Sequence, residues 1–431
     1  MLILTKIYFF DKSGQKSLYC HIMTEKSYKI YTLGCKVNQY DSGRLAQLLT
    51  ERGFVSKESG AALVVVNTCA VTKTAIAKGK RMLAQARKEN PRAKIVLAGC
   101  WPKVYGSQAI PADLVYDSRD WRGLIKEVEG WFQTANLVDI HNPLSLNQDR
   151  SRYFLKIQDG CNQFCSYCVI PYARGPLVSR TEKEILAEIR QALKSGYQEI
   201  VLSGIHLGRY GQDTKTDLIS LLKKILAIKK NFRLRLSSIE IIEIDDALIK
   251  LMVKDRRLCR HLHIPLQAGS DQILKLMNRP YSQKYFVKRV KEIKKALPDI
   301  AISTDIIVGF PKETRKDFLE SYNLAKKLQL SRLHVFSFSA HEKTKAFSLT
   351  PRVKPEEIKK RSAELRKLSV SLEDEYQKKI IKKYRGQKLA VIVERQKGEY
   401  YLGKSEYYVD FWFRPEQKKK ISIGQLFDLT L

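Results

Sequence analysis

Acidic residues are scarce in this chain: 45 Asp and Glu stand against 78 Lys and Arg in 431 residues, a formal net charge of +33. Solubility needs far less. An excess of this size serves a polyanion, through phosphate contacts and released counterions. No apolar run is long enough to cross a bilayer, which excludes a helical membrane protein. The opening MLILTKIYFFDK lacks the basic n-region and small-residue cleavage site of a signal peptide. Met23 serves equally well as a start, so residues 1–26 read as a peripheral extension. A cytoplasmic location follows as the expectation, and disulfides are rare there. Cysteine is sparse as well, with eight residues, and no second Cys-x-x-Cys pair accompanies the one at Cys165 and Cys168. That argues against a zinc knuckle, which takes four ligands, commonly as two such pairs.

The remaining sequence is ordinary in composition for a soluble globular protein and too long for one core. From Tyr28 it repeats apolar run, sharp turn and amphipathic segment. YKIYTLGC, AALVVVNTC and AKIVLAGC read as strands, with DSGRLAQLLTERG and TKTAIAKGKRMLAQARKEN as helices between them. Such alternation argues an open parallel sheet, here over residues 27–150. The polar stretch HNPLSLNQDRSR, with Pro143, reads as a linker. A second alternating series fills residues 151–384, with strands YFLKIQ, EIVLSG, RLRLSS, HLHIPL, AISTDIIVG and RLHVFSFS. These six βα units fit a partial (β/α)6 barrel, because right-handed crossovers close such a series on itself. The charged segment KPEEIKKRSAELRKLSVSLEDEYQKKIIKKY reads as one helix. Residues 385–431 then alternate apolar and polar positions, as short antiparallel strands do, and read as a small closed β-barrel of a nucleic-acid-binding kind.

Three cysteines fall within eight residues in DGCNQFCSYCVIPYARG: Cys161, Cys165 and Cys168. Three thiols cannot pair off as disulfides, and an iron–sulfur cubane suits them better, one thiolate to each of three irons with the fourth iron open. The triad follows the first barrel strand, on the face where barrel active sites form. Cys35, Cys69 and Cys100 each end a predicted strand of the first series. In an open parallel sheet, ligands collect outside the carboxyl ends of the strands, so these three also read as one set. Cys20 and Cys259 fit neither; Cys259 reads as packing. His261 and His263 share one strand face and read as packing too. Arg174 suits either a phosphate or carboxylate partner or a helix cap. No conventional acid–base pair stands out.

Together these motifs, with TLGCKVNQYDS, VVVNTCAVT, VLAGC, HIPLQAGSDQILKLMNRPY and STDIIVGFPKET, resemble the radical S-adenosylmethionine (SAM) methylthiotransferase family over roughly residues 28–431. The resemblance implies two 4Fe-4S clusters, one on Cys161, Cys165 and Cys168 that reductively cleaves SAM, and one on Cys35, Cys69 and Cys100 that holds or supplies sulfur. It implies SAM contacts from Tyr167, Ser203, Gly204, Gln267, Ser270 and the backbone at Gly309. It also implies tRNA as partner, a low-potential electron donor such as flavodoxin or ferredoxin, a sulfur source, and a terminal domain like TRAM. The tail departs a little, since DFWFRPEQKKK is more aromatic and basic than most. The isopentenyladenosine branch typically has Gln and Met after the first Cys, where this chain has Lys36 and Val37, so the motifs look most like the branch acting on threonylcarbamoyladenosine. The isopentenyladenosine branch, the branch that modifies an aspartate in a ribosomal protein, and a non-catalytic metal-containing nucleic-acid binder remain as alternatives.

Overall fold

The computed structural model describes residues 4–10 and 16–22 as backbone and 26–106, 111–117, 119–132, 151–415 and 421–431 in full. Met23 and most of the expected linker, Pro143 included, lie outside the described residues. The chain divides into two compact units, Met1–Ser145 and Leu146–Leu431.

In the first unit, β1 (Leu4–Phe10) and β2 (Lys16–Ile22) pair antiparallel with each other, Leu4 opposite Ile22. The main sheet follows as β3 (Ser27–Thr32), α1 (Lys36–Glu51), β4 (Val55–Ser56), β5 (Leu63–Thr68), α2 (Lys73–Glu89), β6 (Lys94–Gly99), α3 (Cys100–Tyr105), β7 (Leu114–Val115) and α4 (Trp121–Trp131). Its five strands are parallel, in the order β4-β3-β5-β6-β7. The central strand β5, LVVVNT, is buried at every position. A parallel strand covered on both faces has to be apolar along its length, which accounts for that run of valines. Leu45 and Leu49 of α1 and Leu124 and Val128 of α4 close one face over Leu63, Val65 and Val96.

The second unit opens with β8 (Tyr153–Asp159), α5 (Ile170–Arg174), β9 (Val178–Ser179), α6 (Glu182–Lys194), β10 (Glu199–Gly204), α7 (Leu218–Leu226), β11 (Arg233–Leu236) and α8 (Asp246–Lys254). It continues with β12 (His261–His263), α9 (Asp271–Leu276), α10 (Gln283–Ala296), β13 (Ala301–Val308), α11 (Arg315–Lys327), β14 (Arg332–Ser337) and the long α12 (Pro355–Tyr384). Strands β8, β10 and β11 form one parallel sheet, which β9 edges antiparallel, and β12, β13 and β14 form another. Single parallel bridges, Leu234 to Leu258 and Ser238 to His263, link the two. The six expected strands therefore stand side by side in chain order. Capping boxes at Thr181/Glu184 and Thr314/Asp317 start α6 and α11 and satisfy their first amides.

After α12 come β15 (Lys388–Lys397), β16 (Tyr400–Ser405), β17 (Asp410–Phe413) and β18 (Leu426–Thr430), an antiparallel sheet in the order β17-β16-β15-β18. Among the described residues β17 and β18 are edges, so the pairing does not close the ring expected from the sequence. This sheet is fastened to the amino ends of the preceding strands. Glu199, fully buried, pairs with Arg233 and, at 2.8 Å, with Arg235. The same guanidinium groups donate to backbone carbonyls of the terminal sheet: Arg233 to Ala390 and Lys404 at 3.0 Å, Arg235 to Ser405 at 3.1 Å and to Glu406 at 3.3 Å. Tyr408 then stacks on His261, ring centroids 4.2 Å apart.

Breaking a buried ion pair from one side costs about 3–5 kcal/mol, because a charge is left without compensation. Glu199→Gln should therefore lower the denaturant midpoint by a corresponding amount. Truncation after Tyr384 should destabilise the remainder rather than release a free-standing domain, since it strips Arg233 and Arg235 of their carbonyl partners. Chemical denaturation of both variants checks this.

Candidate active site

The loop after β8 is held at its neck and at its tip. At the neck, Gly160 and Gly175 take φ of +70° and +68°, and a Cβ on Gly160 would lie 1.9 Å from the Pro176 carbonyl oxygen. Only glycine allows that approach. The amide of Cys161 donates to the Gly175 carbonyl at 3.1 Å. Arg174 reaches back with Nη1 to both oxygens of Asp159, at 3.0 and 2.9 Å, with its side chain 1% exposed. Of the partners expected for Arg174, the structure gives a carboxylate, at the end of β8. At the tip, the amide and hydroxyl of Ser166 donate to the carbonyls of Met277 and Leu276, at 3.0 and 2.7 Å. Asn278 donates to the Phe164 carbonyl at 2.9 Å.

Pinned in this way, Cys161, Cys165 and Cys168 line one cavity of about 230 Å³, together with Tyr167, His206, Glu240, Gln267, Arg279 and Asp305. It lies at the carboxyl ends of the parallel strands. The Cys161 sulfur is 3.2 Å from His206 Nδ1, and His206 Nε2 is 2.5 Å from Glu243. Arg279 Nη1 donates to the Cys165 sulfur at 3.3 Å while its other terminal nitrogen pairs with Glu240. Burial opposes charge on His206, but its bonds to Cys161 and Glu243 outweigh that and raise its pKa to about 9. Burial, then the neighbouring Cys165, pushes the Cys168 thiol up to about 12. Burial also raises Cys165, against the pull of Arg279.

Among the described residues no three of His, Cys, Asp and Glu gather closely enough to hold a single metal ion. A cubane makes no such demand, since each thiolate binds a separate iron. Three thiols in one cavity, two of them in contact with a nitrogen-bearing side chain, fit that donor set. Deprotonation on metal binding removes the cost of burying a free thiolate.

Among the other residues expected at the site, Tyr167 and Gln267 line the cavity. Ser203 and Gly204 do not: the Ser203 hydroxyl donates to the Leu155 carbonyl at 3.2 Å, and Gly204 packs on Gln158. Their successors Ile205, His206 and Leu207 line it instead. Ser270 donates to Asp317 at 2.5 Å, and the Gly309 amide to Glu313 at 3.1 Å, both away from the cavity lining. His261 and His263 converge on the Ser303 hydroxyl at 3.1 and 2.9 Å. Cys259 is buried, its thiol raised to about 11 chiefly by that burial. In the first unit, Cys35, Cys69 and Cys100 follow β3, β5 and β6, which are adjacent strands. Two buried asparagines clasp these loops. Asn38 donates to the carbonyls of Leu33 and Thr68 at 2.8 and 3.0 Å, and Asn67 donates to the Asn38 carbonyl at 3.0 Å. A Cβ on Gly34 would lie 3.3 Å from that of Cys69, so the first two cysteine loops touch. Cys20 falls on β2, where the description is of backbone only.

Residues 155–325 match the radical SAM superfamily, and residues 27–117 match the uncharacterized protein family UPF0004. The chain is 35% identical to threonylcarbamoyladenosine tRNA methylthiotransferase MtaB of Bacillus subtilis (strain 168), over 84% of each chain. This chain belongs to the radical SAM methylthiotransferase family. As a member it is a transferase, and the family's chemistry uses SAM and a 4Fe-4S cluster. It is also 34% identical to tRNA-2-methylthio-N(6)-dimethylallyladenosine synthase of Carboxydothermus hydrogenoformans, over 79% of this chain and 82% of the relative. Among solved structures, the radical S-adenosylmethionine methyltransferase TsrM of Kitasatospora setae shares the fold, with a TM-score of 0.56, 13% identity and 75% of each chain covered.

The neck of the cysteine loop carries a pH signature. Although Asp159 is buried, Arg174 and Lys156 lower its pKa from 3.8 to about 2. Its contribution, about 2 kcal/mol at 1.36 kcal/mol per unit, is present in full above pH 3.8 and is lost as the pH falls towards 2. Acid titration of stability should show this loss in the parent, whereas Asp159→Asn should start lower and lack that component.

Proposed function

We propose that this protein adds a methylthio group to carbon 2 of threonylcarbamoyladenosine, beside the anticodon of tRNA. The observation that carries the reading is the cavity shared by Cys161, Cys165 and Cys168 in a chain whose curated relatives include enzymes named for that activity. The net charge of +33 supports a nucleic-acid substrate. In this reading residues 151–384 are a partial (β/α)6 radical SAM barrel, residues 27–150 carry a second cluster on Cys35, Cys69 and Cys100, and residues 385–431 are a TRAM-like RNA-binding domain. Residues 1–26 are an extension outside this machinery. The location is the cytoplasm, and no helix among the described residues is long and apolar enough to cross a membrane. A flavodoxin or ferredoxin would supply electrons, and a separate sulfur source would replenish the second set of thiols.

When bound, the cluster and SAM supply a radical strong enough to take hydrogen from an unactivated carbon. The chain's own residues position and shield that chemistry. The braced loop would hold the cluster on its three thiols, and Tyr167 and Gln267, which line the same cavity, would contact the bound cofactor. Threonylcarbamoyl carries a carboxylate and a hydroxyl, which call for donors at the substrate side of the site. A site built to pair those groups would reject the apolar isopentenyl analogue.

Anaerobic reconstitution should give about eight irons per chain, two cubanes' worth. Changing Cys161, Cys165 and Cys168 to Ala should leave about four irons and end SAM cleavage. Changing Cys35, Cys69 and Cys100 should also leave about four, but spare 5′-deoxyadenosine formation and stop thiolation. Full iron in the second variant would sink the two-cluster reading. Mass spectrometry of tRNA nucleosides from cells lacking the gene decides the substrate: loss of methylthio-threonylcarbamoyladenosine is expected, and loss of the isopentenyl form instead would move the protein to that branch.

A further inference from the structure

The short 3-10 turn Ile241–Glu243, with Glu240 before it, places two carboxylates beside the thiol cavity. Each holds a nitrogen-bearing side chain against a cysteine. Glu243 contacts His206, which faces Cys161; Glu240 pairs with Arg279, which donates to Cys165. Cys168 differs, since its hydrogen bond comes from the backbone of Ile170.

Arg279 is the more tightly fixed of the two. Its side chain is 2% exposed and each guanidinium nitrogen has its own partner: Nε donates to the Tyr281 hydroxyl at 3.1 Å, Nη1 to Cys165 at 3.3 Å, and Nη2 to Glu240. Tyr281 is itself tied to the carbonyls of Pro265 and Leu266, at 2.9 and 3.1 Å. A lysine offers no planar fork and cannot serve three fixed directions at once. With Glu240, Cys165 and Tyr281 already engaged, the group is placed for the thiolate rather than for a mobile carboxylate.

We propose that Arg279, aligned by Glu240, is a positioning residue that donates into the Cys165 thiolate and raises the reduction potential of the cluster bound there. Hydrogen bonds to ligand sulfurs, net charge and burial set such potentials. Reduction adds negative charge, and a fixed, buried cation stabilises the reduced form more than the oxidised one. The proposal rests on the assignment of a cluster to Cys161, Cys165 and Cys168.

The test uses full-length protein with Cys35, Cys69 and Cys100 changed to Ala, so that one cluster titrates. Potentiometry followed by electron paramagnetic resonance compares that protein with Arg279→Met and Arg279→Lys, and SAM affinity is measured alongside. Arg279→Met should keep its iron and shift the redox equilibrium towards the oxidised form at least tenfold, about 59 mV lower for one electron. Arg279→Lys, which retains charge but not the fork, should shift less, and SAM affinity should stay within about twofold in both. An unchanged midpoint overturns the proposal. So does loss of iron in both variants, which would make Arg279 a brace for the loop, or loss of SAM affinity at an unchanged midpoint, which would make it a SAM contact. A background protein with no reducible cluster would instead overturn the assignment on which the proposal rests.

Discussion

Three thiols have to be kept together in a cavity that is costly for any free charge, on a loop with no ladder of its own. Burial, with the neighbouring thiols adding to it, raises Cys165 and Cys168 above the ordinary thiol range. The loop must therefore be tied to something rigid, and the structure does so with groups that carry their own compensation. Arg174 and Asp159 close the neck as a buried, two-bonded pair. Backbone carbonyls at Leu276 and Met277 and the Asn278 amide hold the tip. The turn that supplies Glu240 and Glu243 stands directly after β11, so a strand end of the sheet sets the groups facing Cys161 and Cys165.

The two ends of the strands do different work. At the carboxyl ends the cavity collects the thiols, His206, Gln267 and Asp305. At the amino ends Glu199, Arg233 and Arg235 bind the terminal sheet through buried charge and backbone carbonyls. Barrel folds commonly divide chemistry and stability this way. A buried ion pair adds little net stability compared with an apolar contact, yet it is expensive to break and fixes one geometry. That is a useful property where a sheet must sit in one register against strand ends.

Much of this was legible in the sequence because it rests on period and spacing. Three strands of the first series and six of the second were visible as apolar runs, since a parallel strand covered on both faces leaves little room for polar residues, whereas the two-residue strands β4, β7 and β9 are too short to carry a pattern. The cysteine triad was visible because its three thiols are local. What escaped were groups brought in from afar. His206, Glu240 and Arg279 lie dozens of residues from the cysteines they adjoin, on separate loops, and no spacing marks them. Ser270 and Gly309 sit after strands as expected, and their polar groups are engaged within the chain by Asp317, of the α11 capping box, and by Glu313, which pairs with Arg361. The attachment of the terminal sheet to the preceding strands leaves no mark in its own alternating pattern. The arginines that attach it sit within strands read as ordinary barrel strands.

The distribution of charge separates folding from binding. Among the described residues most buried arginines face a carboxylate: Arg174 faces Asp159, Arg279 Glu240 and Arg361 Glu313, while Arg233 and Arg235 share Glu199 and Arg260 donates to backbone carbonyls instead. Such matching is what burial demands of any charge. Buried arginines in excess of their carboxylates are few against a net charge of +33, so the surplus resides largely in the long cationic side chains that reach water. Charge in water does little for a fold, and its self-repulsion works against the compact state. It does act on a polyanion at a distance and in proportion to the phosphates neutralised. The basic character of this chain therefore acts at long range on the nucleic-acid substrate, apart from the buried charge pairs that hold the fold.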